Sequence, residues 1–127
     1  MKYIRRIREK TAPCFFCAHL RQKKDARNLI LLRGETGVVI LNRYPYNTGH
    51  LLIAPKAHKA ELSNLTDAES SEIFRLAGRM KRALQKAFKP DGYNLGINFG
   101  RVAGAGVPGH VHLHIVPRWS GDTNFMP

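Results

Sequence analysis

Apolar and polar positions change period along this chain, and each change marks an element. "LILLRGETGVVILNRY" holds two apolar runs about a turn between Gly34 and Gly37, which predicts a hairpin of two strands. "PYNTG" is a second turn, and "HLLIAPKAH" reads as a third strand ended by Pro55. From about Asp67 to Phe88 the period becomes helical, with Ile73, Leu76, Ala77, Met80, Leu84 and Phe88 on one stripe. Thr66 and Glu69 form a capping-box pattern at its start, and "KPDGYN" stops it. "YNLGINFG" then predicts a fourth strand and "HVHLHIVP" a fifth. Pro117, unable to donate to a ladder, is expected to end that strand. The fold class expected is α+β, an antiparallel sheet of five strands with one long helix on a face.

The fifth strand carries the most unusual pattern. His110, His112 and His114 alternate with Val111, Leu113 and Ile115. Strand residues two apart point the same way, roughly 6.6 Å from one another, so the three imidazoles share one face. A solvated polar face is the plain explanation for a single histidine. Three in register favour chemistry instead, because imidazole is a metal ligand, a neutral-pH acid or base, and a nucleophile.

Composition narrows the setting. A chain of 127 residues suits one domain with one core. No apolar run has the length of a membrane span, and the basic start "MKYIRRIREK" lacks the apolar stretch of a signal peptide, so a cytoplasmic protein is expected. Residues 1–13 read as a basic arm preceding the domain at 14–127. The net charge is +12, and the first 33 residues hold ten Lys and Arg against Glu9 and Asp25. That balance favours anionic partners. Nucleic acid ranks below nucleotides among them, since no base-reading motif is present and the aromatics do not interleave with the cations. A solubilising surface explains the same charge.

Two further motifs bear on chemistry. "CFFC" places Cys14 and Cys17 three apart, ahead of a charged loop or short helix. On spacing alone they are a redox pair, two buried thiols, or half of a zinc tetrahedron completed by His58 and one histidine of the triplet. "GAGVPG", with Gly104, Gly106 and Gly109, formally matches a dinucleotide fingerprint, but a strand rather than a helix follows it, so that reading fails. The loop can still offer backbone N–H groups to an anion. A phosphate-friendly loop leading into an imidazole face suggests phosphoryl or nucleotidyl chemistry, with imidazole as covalent nucleophile.

"HVHLHIV" resembles the signature of the histidine triad superfamily of nucleotide hydrolases and transferases, and the likeness extends from Cys14 onward. "RYPYNTGH" and "PRWSGDTNFM" are most similar to its bacterial diadenosine polyphosphate phosphorylase and ATP adenylyltransferase branch. The resemblance implies a five-stranded sheet that dimerises into a continuous one. It implies a nucleotide substrate whose AMP moiety is carried on His112, with His114 on the phosphate or leaving group and the His110 carbonyl fixing the tautomer of His112. It places Asn42 at the ribose, and Asn98 with the loop of Gly104 and Gly106 at the phosphates. It also implies structural zinc on Cys14, Cys17, His58 and His110. His50 matches a common family histidine, and packing rather than catalysis is expected of it.

The chain departs from many hydrolase members at Gly106 and Val107, where phosphate-contacting side chains are common. Relatives of the branch usually continue beyond the position of Pro127 through another helical segment. Cleavage of dinucleoside polyphosphates or related AMP-bearing substrates, by phosphorolysis, is the activity expected. The rival is a nucleotide-binding regulatory module without turnover, its basic arm docked on RNA or a protein partner.

Overall fold

The structure, a computed structural model, describes residues 14–105 and 109–122; the basic arm at 1–13 lies outside them. Helix α1 (Phe15–Arg21) is followed by strands β1 (Ile30–Arg33), β2 (Gly37–Leu41) and β3 (Leu51–Pro55). The long helix α2 (Asp67–Phe88), β4 (Gly92–Gly96) and β5 (Leu113–Arg118) complete the order. The five strands form one antiparallel sheet in the order β1-β2-β3-β5-β4. The α+β expectation holds.

Period-two alternation gives the sheet two apolar faces. Val39, Leu51, Ile53, Leu113 and Ile115 pack beneath Ile73, Leu76, Ala77 and Leu84 of α2. Val38, Ile40, Leu52 and Ala54 face the other way, around Phe16 of α1. The start of α2 is fixed as its sequence predicts: Thr66 Oγ1 accepts from the Glu69 N–H, and Glu69 Oε1 accepts from the Thr66 N–H. Its end is unusual only in that Lys89, not glycine, takes the left-handed cap at φ 50°. Gly49 (φ +82°) turns the chain beneath α2, where a Cβ would lie 3.1 Å from Leu84 and 3.2 Å from Phe88 and Pro117. That close approach sets the position of the next residue, His50.

Three expectations change. β5 begins at Leu113, so His110 and His112 precede the ladder; there the Val111 N–H bonds the Lys59 carbonyl at 2.7 Å instead of a strand. β4 consequently stops at Gly96, opposite His114, rather than running on to residue 100. Pro117 does not end β5, which pairs it with Tyr93 and continues to Arg118. The polar edge of Pro117 faces the side where β3 has already ended, and its carbonyl accepts from Asn47 Nδ2 at 3.0 Å. Its missing N–H therefore costs no ladder bond.

The helix is tied to the hairpin by one carboxylate. Glu72 accepts the backbone N–H groups of Glu35, Thr36 and Gly37 and the Thr36 hydroxyl, at 2.6–3.0 Å. Burial raises its pKa, but these bonds more than offset that and the net shift is downward. The contribution is present with the carboxylate charged and is lost as acid protonates it. Glu72→Ala leaves three consecutive amides without this acceptor. The unfolding free energy at pH 7 should fall by roughly 2 kcal/mol, read as a lower urea midpoint; an unchanged midpoint would show that the turn holds itself.

Candidate functional site

The face turned away from α2 positions the histidines. One row of paired residues crosses four strands, Ile40 to Leu52, Leu52 to His114, and His114 to Gly96. Phe16 stacks its ring 4.8 Å from that of His110 and 5.1 Å from that of His112, and the His112 and His114 rings lie 5.0 Å apart. The shared imidazole face therefore survives although only His114 sits in the ladder. Above it lies a cavity of about 480 Å³, with His112, His114, Asn42 and Gly104 on its walls.

Hydrogen bonds fix where each proton sits. His112 Nδ1–H donates to the His110 carbonyl at 2.8 Å, which leaves its lone pair on Nε2. The Tyr46 N–H (3.1 Å) and Asn42 Nδ2 (3.2 Å) both donate to His50 Nδ1. The His50 proton is therefore on Nε2, which donates to His114 Nδ1 at 2.8 Å. His114 then carries its own proton on Nε2. Among the described residues neither the Nε2 of His112 nor that of His114 is a buried atom lacking a partner, and both rings line the cavity. The cavity thus presents a lone pair beside an N–H donor.

Burial keeps these rings neutral. It pulls His112 below the ordinary imidazole value, partly opposed by the bond to the His110 carbonyl. His50 and His114 are driven down to about 4, by burial first and then by the repulsion that His112 exerts whenever it takes up a proton.

A second cluster lies behind His110. Its Nε2–H donates to the Pro55 carbonyl at 2.7 Å, which turns the Nδ1 lone pair toward Cys14 Sγ (3.3 Å), Cys17 Sγ (3.7 Å) and His58 Nδ1 (3.2 Å). Cys17 Sγ is 3.3 Å from His58 Nδ1, and all four ligand atoms fall within 4.8 Å of one another. With Zn–N near 2.05 Å and Zn–S near 2.3 Å, a tetrahedral ion sets N···N at about 3.3 Å and S···N at about 3.6 Å. The donor set fits zinc in chemistry and in spacing. Cys14 stands at the N-cap of α1 and Cys17 in its first turn, so the short helix delivers both sulfurs together with Phe16.

The other predicted residues divide. Asn42 reaches the cavity, but its Nδ2 already serves His50 and its Oδ1 accepts the Tyr44 N–H at 3.0 Å. Gly104 (φ +96°) lines the cavity, and a Cβ there would lie 3.5 Å from Asn98 Nδ2, so these two sit together. Gly106 and Val107 lie outside the described residues. His50, which matches a common family histidine and is expected only to pack, bonds His114 and so orients it. Phe15, Leu29, Arg43 and Tyr46 also line the cavity and were not foreseen. Leu29 does so at φ 62°, a strained angle for leucine that no sequence pattern announces.

A family model described as HIT domain matches residues 23–121. Over 105 residues the chain is 41% identical to the AP-4-A phosphorylase of Mycobacterium tuberculosis, covering 83% of this chain and 54% of that protein. It is 32% identical over 93 residues to the asymmetrical bis(5'-nucleosyl)-tetraphosphatase of Schizosaccharomyces pombe, covering 73% of this chain and 50% of that protein. The chain thus spans about half the length of these curated relatives. A crystal structure of a Zn-bound histidine triad family protein from Mycobacterium smegmatis superposes with a TM-score of 0.75 at 33% identity, covering 88% of this chain and 80% of that one.

The depressed histidines link stability to pH. Above about 6.5 folded and unfolded chains are both neutral at His50 and His114, and their contribution is intact. Between 6.5 and about 4 the unfolded chain takes up protons that the fold refuses, so stability falls as pH falls. In urea titrations with chelator present, His114→Gln should make this decline shallower by up to about one proton. Identical slopes for variant and wild type would contradict the burial assigned to that ring.

Proposed function

The chain belongs to the HIT domain family, and from that premise we propose that it is a nucleotidyl transferase or hydrolase. Its substrates are dinucleoside polyphosphates or related AMP-bearing compounds, cleaved through an AMP–histidine intermediate. The observation that carries this reading is the cavity-lining His112, whose Nδ1 proton is held by the His110 carbonyl so that Nε2 keeps its lone pair. The AP-4-A phosphorylase of Mycobacterium tuberculosis and the bis(5'-nucleosyl)-tetraphosphatase of Schizosaccharomyces pombe, as relatives, support the substrate class.

The reaction runs in two displacements. His112 Nε2 attacks the α-phosphorus, a P–N bond forms, and the P–O bond to the departing polyphosphate breaks with its electron pair on oxygen. The His114 Nε2–H bonds that oxygen or a phosphate oxygen, in the tautomer imposed by His50. Asn98 and the backbone of the Gly104 loop, with Gly106 beyond the described residues, receive the phosphates, and Asn42 meets the ribose. An acceptor oxygen then attacks phosphorus, the P–N bond breaks and His112 is restored. With inorganic phosphate as acceptor, diadenosine tetraphosphate yields ATP and ADP; with water, ATP and AMP. A chain of net charge +12 concentrates phosphate near the site, which favours phosphorolysis.

Zinc on Cys14, Cys17, His58 and His110 is structural in this reading. Cys14, Cys17, His58 and His110 would supply all of its ligands, and the ion would supply charge balance for two thiolates and a fixed point for α1. A homodimer joined through β4 accords with that strand's place at the sheet edge and with the exposed Leu95.

His112→Ala should lower turnover of diadenosine tetraphosphate to about a thousandth or less, with AMP still bound. Activity near wild type would remove His112 from this role, whereas no turnover by wild type on a panel of adenylylated compounds would favour the binding module. Product analysis with and without phosphate, at matched ionic strength, should give ADP in phosphate; AMP in both buffers would make the protein a hydrolase.

The metal is tested separately. About one zinc per chain should copurify, with apparent binding on the order of 10 kcal/mol. Cys14→Ser should lower the melting temperature more than it changes AMP affinity. Metal-stripped protein that melts with wild type would end the structural role.

A further inference from the structure

Helix α2 buries one side and arms the other. Arg75, Arg79, Arg82, Lys86 and Lys89 follow one another at alternating steps of four and three residues, the last of them at the C-cap. At 3.6 residues per turn these steps keep the five side chains within about 40° of one line along the helix, over about 21 Å. All five are exposed, and the line runs opposite the stripe of Ile73, Leu76, Ala77 and Leu84 that packs on the sheet. Among the described residues none of the five side chains takes part in an ion pair or side-chain hydrogen bond. Acids of the helix lie only toward its start, where Asp67 and Glu72, with Glu35 of the β1–β2 turn, border a depression with Arg75; none stands beside the other four cations. Glu69 pairs with Lys59, Glu72 is committed to the β1–β2 turn, and no acid occurs from Arg75 to Lys89. A shallow depression of about 590 Å³ lies along the end of the line, bordered by Arg82, Lys86 and Lys89.

Folding does not ask for this arrangement. Like charges three and four apart cost a helix about 0.2–0.5 kcal/mol per pair. Only Lys86 and Lys89 lie where the helix C-terminus favours cations, and Arg75 and Arg79 do not. The apolar stripe of α2 is consumed by the core; the exposed Phe74 and Phe88 are fourteen residues apart, which is short of the continuous apolar face that an interfacial helix lays into a bilayer. No aromatic stands in the line to stack on bases. What remains is a straight row of cations about as long as six base steps along the axis of a duplex.

We propose that the outer face of α2 grips the phosphate backbone of a nucleic acid without reading its sequence. The absence of a base-reading motif is no obstacle, because phosphate contacts carry no sequence information. This surface lies across the sheet from the histidine cavity, so the proposal is independent of the reaction proposed there.

The test is fluorescence anisotropy with single-stranded and duplex oligonucleotides across a salt series. Five contacts predict a slope of log affinity against log salt of about −4.5 on duplex. Arg79→Gln/Arg82→Gln/Lys86→Gln should make that slope shallower by about three and weaken binding at least tenfold at low salt. Glutamine keeps helix propensity, and Arg82→Gln alone, expected to change the slope by about one, replaces the triple variant if that melts early. The control removes the same charge elsewhere, as Lys23→Gln/Lys24→Gln/Arg27→Gln, at exposed positions.

Loss confined to the α2 variant supports the proposal. Equal loss in both variants would mean that net charge alone attracts nucleic acid, and overturns it. So would no binding by wild type at low salt, displacement of the oligonucleotide by saturating AMP, or equal dependence on α2 in binding to phosphatidylserine vesicles.

Discussion

Three polar groups of one residue hold the site together. His110 turns Nδ1 to two cysteines and His58, donates Nε2–H to the Pro55 carbonyl, and accepts the His112 proton on its own carbonyl. Its ring is fully buried, so none of these partners can be exchanged for water without cost. The orientation of His112 is thus set by a residue whose other side is anchored in a Cys/His cluster. Phe16, between the two cysteines, closes the arrangement by packing on both rings.

A parallel chain governs His114. The Tyr46 amide and Asn42 hold His50, and His50 holds His114. Gly49 allows the turn that brings His50 beneath the strand, because a side chain there would meet α2. The two imidazoles lining the cavity are therefore oriented from opposite ends, one by the Cys/His cluster and one by the turn before β3. In each, a backbone group is the fixed point, which ties the tautomers to the fold rather than to solvent.

The sheet divides labour between its faces. α2 covers one face with a conventional apolar stripe and is tied to the β1–β2 turn through Glu72. That leaves the other face for α1, the histidines and the cavity. It also leaves the outer side of α2 without a structural task, which is where its cations collect.

Local pattern determined much of this protein. The period of α2, its Thr66–Glu69 cap, the first hairpin and the shared face of three histidines all follow from spacing, because each depends on residues close in the chain. The likeness of "HVHLHIV" and "CFFC" to a family added the expected metal set and the roles proposed for His112 and His114. Tertiary structure decided the rest. Pro117 could stay in β5 only because β3 had ended beside it, and β4 stopped at Gly96 because residues 110–112 turned to Lys59 and Pro55. The bond from His50 to His114 joins residues 64 positions apart, and the approach of Cys14 to His110 joins residues 96 apart. No period encodes such pairs; packing of the sheet brings them together, and hydrogen bonds to particular carbonyls and amides then choose which nitrogen carries the proton.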